Sequence, residues 1–155
     1  MTKLDGLVLA LQEVSLPGDL PGECDLGQGL KKFFSKEEIK AVMIKMNQSQ
    51  LYDQQESRYG TRLGVYAEKT AKHKRRVGLP DKYYTYYETG ATHESLDVLA
   101  EDDWVMVTPG EDAPEYANFA LDTNAWGLND ENFEELMPEI KGAVVEQIRD
   151  FLRNG

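Results

Sequence analysis

The chain has 155 residues, enough for one domain with a hydrophobic core, and its 41% content of hydrophobic residues argues against global disorder. No apolar run approaches the ~18 residues that span a bilayer, and the single cysteine, Cys24, excludes an internal disulfide. The net charge of −11 argues against nonspecific binding to nucleic acid, because phosphates would be repelled on average.

The N-terminal part of the chain is predicted to be irregular. Residues 1–29 are punctuated by turn-forming residues, namely Pro17-Gly18, Pro21-Gly22, Gly27 and Gly29. Residues 7–14 fit either a short strand or a helical turn, since periodicity does not decide at this length. We therefore predict that residues 1–34 form an arm on a neighbouring subunit or a surface loop, and that residues 35–155 form a single domain.

Two helices are predicted in the next segment. Ser35 and Glu38 fit a capping box, and apolar residues at helical spacing follow at Ile39, Val42, Met43 and Met46. A second helix is predicted over residues 61–76, with a buried side formed by Leu63, Ala67, Thr70 and Ala71. Gly78 and Pro80 are typical of its end.

Strands are predicted in the middle of the chain. Tyr83, Tyr84, Tyr86 and Tyr87 favour a strand or an interface edge, with a base-stacking platform as the alternative that the acidic remainder of the chain disfavours. Residues 95–99 and 104–108 indicate a hairpin, whose second strand is apolar enough to be covered on both faces. Residues 116–121 fit a third strand or a helical turn.

The C-terminal region predicts two successive helices. Asn129 is a good N-cap for a short helix that ends near Leu136. Pro138 then begins a second helix. The buried stripe of that second helix consists of Ile140, Val144, Ile148, Phe151 and Leu152.

Charge is strongly segregated along the chain. Residues 58–82 carry eight basic and two acidic residues, a net charge of +6. Residues 83–140 carry fifteen acids and neither lysine nor arginine, a net charge of −15. This pattern indicates either chance clustering that aids solubility, or two complementary faces within the fold or between copies of it.

Signatures of catalysis and metal binding are weak. The chain contains no phosphate loop, dinucleotide fingerprint or zinc-spaced Cys/His set. His93 and Ser95 lie close in sequence, but a triad is normally assembled from separate segments. The acids at 102–103 and 111–112 match no calcium-binding loop. We therefore predict no catalytic residue, no metal site and no cofactor.

A short motif resembles the tail-completion, or neck, proteins of tailed bacteriophages. Its residues are Thr89-Gly90 and Ser95-Leu96, with Tyr116-Ala117 further on, whereas Thr92 stands where that family has an aliphatic residue. The resemblance covers residues 60–155. It implies an α+β fold in which a small antiparallel sheet is flanked by a long N-terminal helical region and a C-terminal amphipathic helix.

The resemblance also implies a function without enzyme activity. Such a chain forms a homo-oligomeric ring in the virion, between portal and tail, and contacts portal, adaptor or tail proteins. DNA passes through the ring only as cargo, and no membrane partner is expected. The chain is made in the cytoplasm of the bacterial host. The expected interface residues are Arg62, Lys69, Lys72, Lys74, Arg75, Arg76, Tyr83, Tyr84, Tyr86 and Tyr87. The alternatives are an acidic monomeric adaptor or inhibitor that binds a basic partner surface, and a small hydrolase that uses His93 and Ser95.

Overall fold

The computed structural model describes residues 2–3, 26–101, 104–114 and 123–154. The helices are α1 (Leu26–Phe34), α2 (Glu37–Ser49), α3 (Glu68–Arg76), α4 (Ala91–Glu94) and α5 (Asp130–Asn154), with a π-helical turn at Gln50–Gln54 and a 3-10 turn at Thr123–Ala125. The strands are β1 (Thr2–Lys3), β2 (Leu96–Ala100) and β3 (Trp104–Pro109). The α+β prediction is confirmed. Cys24 and the predicted elements at 7–14 and 116–121 lie outside the described residues.

The sheet is antiparallel and small. β2 and β3 form the predicted hairpin, with Val98 opposite Val107 at its centre, and β1 pairs with the other edge of β3. Along β3, Val105 and Val107 are buried, while Trp104, Met106 and Thr108 are partly exposed. The prediction that β3 is covered on both faces was therefore wrong, since one face of the strand lies on the core and the other meets solvent in part.

Helix α1 was not predicted, because its glycines at 27 and 29 indicated turns. Leu30, Phe33 and Phe34 nevertheless share one buried face, which packs mainly against α5. The capping box at Ser35 was also wrong. Ser35 Oγ donates instead to the Lys31 carbonyl at the end of α1, at 2.7 Å, and Lys36 precedes α2 without a side-chain cap.

The helix predicted over 61–76 begins only at Glu68. Residues 61–67 are extended, because their backbone groups bond to neighbouring segments rather than to each other. The Leu63 N–H donates to the Gln55 carbonyl, and the Gly64 carbonyl accepts from the Tyr84 N–H at 2.7 Å. The predicted end is confirmed, since Gly78 takes a positive φ of 77° just after α3.

The two helices predicted near the C-terminus form one. α5 runs through Pro138, which is exposed, because Leu136, Ile140, Val144 and Ile148 on either side of it pack into the same core. The predicted N-cap is confirmed, as Asn129 Oδ1 accepts from the Asn132 N–H at 2.9 Å. The side chains of Phe151 and Leu152 lie outside the described residues.

A buried glutamine joins α2 to the start of α5. The side-chain oxygen of Gln50 accepts hydrogen bonds from the Asn129 N–H and from Asn132 Nδ2, both at 2.9 Å. Its Nε2 donates to the Gly127 carbonyl at 3.1 Å, and Asn47 donates to the same carbonyl at 2.8 Å. These contacts hold the first turn of α5 against the end of α2. None of the described helices is both long and apolar enough to cross a bilayer.

Candidate functional site

The basic surface consists of the exposed cations of α3, namely Lys69, Lys72, Arg75 and Arg76. Part of its charge is neutralised within the chain. Lys72 Nζ lies 2.7 Å from Glu68 Oε1, and Arg75 lies 2.5 Å from Asp81 Oδ2. Among the described residues, Lys69 and Arg76 have no carboxylate partner. The basic surface therefore retains two uncompensated charges and two partly compensated ones.

Lys74 does not belong to this surface, although the sequence placed it there. It is only 2% exposed. Its Nζ donates to the Tyr87 carbonyl at 2.5 Å and lies 4.7 Å from the centroid of the Tyr66 ring. The helical periodicity explains this, because Lys74 lies one turn beyond Thr70 on the face that meets the tyrosines.

The four tyrosines of residues 83–87 separate into two environments. The Tyr83 ring lies beside two cations, 5.8 Å from the Arg62 guanidinium carbon and 4.9 Å from Lys82 Nζ. Arg62 also donates to the Gln54 carbonyl. Tyr84, Tyr86 and Tyr87 line a pocket instead, although all four tyrosines are buried to a similar, partial extent. The segment is not a regular strand, since its only strand pairing among the described residues is the single bridge from Tyr83 to Val65.

Tyr84, Tyr86 and Tyr87 form part of the wall of this pocket, called here the tyrosine pocket. Its volume is about 270 Å³, and it is lined by Tyr66, Ala67, Thr70, Lys74, Tyr84, Tyr86, Tyr87 and Glu88. A more open depression adjoins it along α3, with Thr70 and Glu88 common to both. The pocket therefore lies between α3 and the chain that follows it.

Each ring of the tyrosine pocket is held by a separate contact. The Tyr66 hydroxyl accepts from the Thr85 N–H at 2.9 Å. The Tyr84 ring packs edge-on against Tyr66, with centroids 5.0 Å apart, and Tyr86 packs on Trp126 at 4.8 Å. Tyr86 takes a positive φ of 52°, which is unusual for a bulky residue. Tyr66 and Trp126 could not be recognised from the sequence as neighbours of these rings, because they come from segments distant from the tyrosine run.

The motif residues support a local turn. Gly90 has a φ of 94° and precedes α4, and Thr89 Oγ1 accepts from the Ala91 N–H at 3.4 Å. Ser95 Oγ donates to the Thr92 carbonyl at 2.8 Å, and Leu96 is buried at the start of β2. Tyr116 and Ala117 lie outside the described residues. The motif thus positions the hairpin relative to the tyrosine segment.

His93 is buried, and its hydrogen bond goes to Thr85 and not to Ser95. Its Nε2 donates to the Thr85 carbonyl at 2.8 Å, and its ring packs edge-on against Tyr87. Burial lowers the pKa of His93 below its usual value of 6.5, and the hydrogen bond to Thr85 opposes that shift. Since the Ser95 hydroxyl and this imidazole nitrogen each bond to a different carbonyl, the geometry does not support the hydrolase alternative.

A cluster of exposed acids, called here the acidic surface, lies on α5. It consists of five exposed residues of the first half of α5: Asp130, Glu131, Glu134, Glu135 and Glu139. The sheet acids Asp97 and Glu101, by contrast, pair with Lys40 and Lys31 at 3.3 Å and 2.5 Å. No ion pair joins the five carboxylates to any other part of the chain that the structure describes.

Comparison of the chain with protein-family models, with curated proteins and with solved structures gives no match. Within the described ranges, no three His, Cys, Asp or Glu side chains are grouped closely enough to hold a metal ion. The features that remain for function are the basic surface, the acidic surface and the tyrosine pocket.

Proposed function

We propose that this chain is a structural docking protein that assembles head to tail with copies of itself. The acidic surface carries the proposal, because five exposed carboxylates on one helix have no cationic partner among the described residues. Like charges so close together repel one another, and a cationic surface on a second molecule relieves that repulsion. The basic surface on α3 of the next copy supplies such cations.

A contact between different faces of two copies is the geometry that builds a ring. If the rotation between copies closes, a heterologous contact repeats until the ring is complete. The two surfaces lie on α3 and α5, and no ion pair joins these helices among the described residues. Within one copy, therefore, neither surface neutralises the other.

Charge alone does not hold such a contact together. An exposed ion pair contributes only about 0–1 kcal/mol, so complementary charge mainly sets orientation and partner choice. Val65 and Val77, which flank α3 in sequence, are 61% and 52% exposed and offer apolar area beside the basic surface. Their burial against the next copy supplies the affinity that ion pairs lack.

The resemblance of Thr89-Gly90 and Ser95-Leu96 to phage neck proteins supports a setting for this assembly. In that setting the ring is part of the virion, lies between portal and tail, and contacts portal, adaptor or tail proteins. DNA passes through it as cargo. The chain is made in the bacterial host cytoplasm and performs no catalysis.

Measurement of the assembled mass by analytical ultracentrifugation at low and high salt tests the proposal. The triple change Lys69→Glu/Lys72→Glu/Arg76→Glu and the triple change Glu131→Lys/Glu135→Lys/Glu139→Lys should each prevent assembly. The two triple variants should assemble when mixed, because each then supplies the surface that the other needs. Lys74 is left unchanged, since it is buried, and Lys45→Glu on α2 is the exposed control.

A second candidate is a monomeric acidic adaptor or inhibitor that binds a basic partner. One observation favours it: the chain itself neutralises much of the charge of α3, through Glu68 and Asp81, but none of the charge of the acidic surface among the described residues. A wild-type chain that stays monomeric at low salt and high concentration would overturn self-assembly and leave this candidate.

A further inference from the structure

Lys74 is a buried cation with no anionic partner among the described residues. Lysine is almost never fully buried unless it is paired, because an ammonium loses its hydration there. At 2% exposure, Lys74 Nζ has one carbonyl acceptor, on Tyr87, and the face of the Tyr66 ring. Both contacts are made by neutral groups. Among the described residues, no carboxylate pairs with Lys74.

The space beside this ammonium is a preformed aromatic pocket. Tyr66 is fixed by Thr85, and Tyr84 lies so close to the backbone of Gly64 that a Cβ there would approach its ring to 2.4 Å. Tyr86 is fixed by Trp126. Fixed rings around one polar group are what a small-molecule site normally presents, with the apolar wall providing area and the polar group orienting the ligand.

Glu88 lines the pocket, and its carboxylate pairs with a residue outside it. Its Oε1 lies 3.2 Å from His73 Nε2 on the outer side of α3. Glu88 therefore contributes negative charge to the rim and disfavours an incoming anion from there. The lining of the pocket itself thus holds one ammonium, on Lys74, and one carboxylate, on Glu88, so a ligand with a single negative charge suits it best.

We propose that the tyrosine pocket binds a small monocarboxylate with an aromatic or apolar body, which lies among Tyr66, Tyr84 and Tyr86 while its carboxylate pairs with Lys74. A carboxylate supplies the missing counter-charge, and the rings bury the body. The proposal is independent of the self-assembly described above, because it uses the inner face of α3 and not the basic surface.

Phenylacetate and its neutral amide, phenylacetamide, are the probes. Amide chemical shifts of the full chain are followed by NMR during titration with each. Phenylacetate should give saturable shifts centred on Thr70, Tyr87 and Glu88, and phenylacetamide should bind about tenfold more weakly, since it lacks the charge that pairs with Lys74. An acetylated tripeptide that ends in phenylalanine with a free carboxylate tests a protein chain end as the source of the same group. If the tripeptide binds more tightly than phenylacetate, the pocket takes the C-terminal end of a protein chain. If the tripeptide binds more weakly, the pocket takes a free small acid.

Three variants separate the contributions. Lys74→Met keeps the aliphatic stem and should weaken phenylacetate binding about tenfold, whereas Lys45→Met, at an exposed position of α2, should leave it unchanged. Glu88→Gln should strengthen binding, because it removes the negative charge at the rim. Ala67→Trp, on an exposed lining position, should block the pocket without altering its charge and provides the test if Lys74→Met does not fold. Equal binding of acid and amide, or unchanged binding by Ala67→Trp, would overturn the proposal.

Discussion

Gly64 lies directly against the ring of Tyr84, and its replacement by alanine should destabilise the fold. A Cβ at this position would lie 2.4 Å from Tyr84 Cε2 and 2.8 Å from Cδ2. Carbon atoms pack at about 3.5–4.0 Å, so the ring has to move by about 1 Å or more. Tyr66 and Tyr86 pack on that ring, at centroid distances of 5.0 Å and 6.2 Å, and the movement therefore reaches the whole pocket wall.

The expected loss follows from two opposing effects. Overpacking of this kind costs about 1–3 kcal/mol. The alanine also reduces the conformational freedom of the unfolded chain, which stabilises the folded state by about 0.4–1 kcal/mol. The net destabilisation by Gly64→Ala is therefore about 1–2 kcal/mol. Gly64 does not have a positive φ, so the cost arises from the contact with Tyr84 and not from backbone strain.

Urea unfolding followed by circular dichroism measures this loss as a lower midpoint with an unchanged slope. Gly142→Ala is the matched control, because Gly142 lies in α5 with no atom within 4 Å of an added Cβ. It should stabilise the chain by about 0.5–1 kcal/mol. In the background of Tyr84→Ala, Gly64→Ala should no longer be destabilising. A Gly64→Ala chain as stable as the wild type, or an equal loss in the Tyr84→Ala background, would show that the contact does not limit stability.

Three further predictions concern buried polar groups. Gln50→Leu should cost about 2–4 kcal/mol in urea unfolding, because it leaves the Asn129 N–H and Asn132 Nδ2 without their buried acceptor; a smaller loss than that of Asn129→Ala would contradict this. Asn129→Ala should cost about 1 kcal/mol through loss of the N-cap of α5, and Asn129→Asp should retain most of that stability. Because burial lowers the pKa of His93 below 6.5, the unfolded chain binds the proton more readily, so stability should fall as pH decreases through 6.5. Unfolding midpoints between about pH 8 and about pH 5 should depend less on pH in His93→Gln than in wild type, and an identical dependence in the two chains would exclude His93 as the cause.

Elements with strong local signals could be predicted from the sequence. The bounds of the hairpin were predicted to within a residue, since two apolar runs with a short polar turn between them are compatible with few other local structures. Asn129 and Gly78 were identified because a cap and a left-handed helix end each depend on one residue type. The single helix through Pro138 was not predicted, because what keeps the chain helical there is the packing of Leu136 and Ile140 into a common core, which periodicity does not reveal.

The candidate sites were predictable only in part. The charge map located the cations on α3, but it could not show that Lys74 faces inward, because the tyrosines that cover it belong to a different segment. The acidic stretch was predicted to run from the sheet region to the last helix, whereas Lys31 and Lys40 pair with Glu101 and Asp97 of the sheet and five unpaired acids lie on α5. Ion pairing over long sequence distances decides which charges remain available, and one sequence does not contain that information.

The packing of α1 against α5 has a consequence for how the protein is made. Leu30 and Phe34 find their main covering surface on a helix that begins about a hundred residues later in the chain. On the ribosome, α1 therefore emerges long before α5 has been synthesised, and its apolar face stays exposed during that time. Closure of this core couples α1 to α5, so the core forms after translation of α5 rather than progressively behind the growing chain.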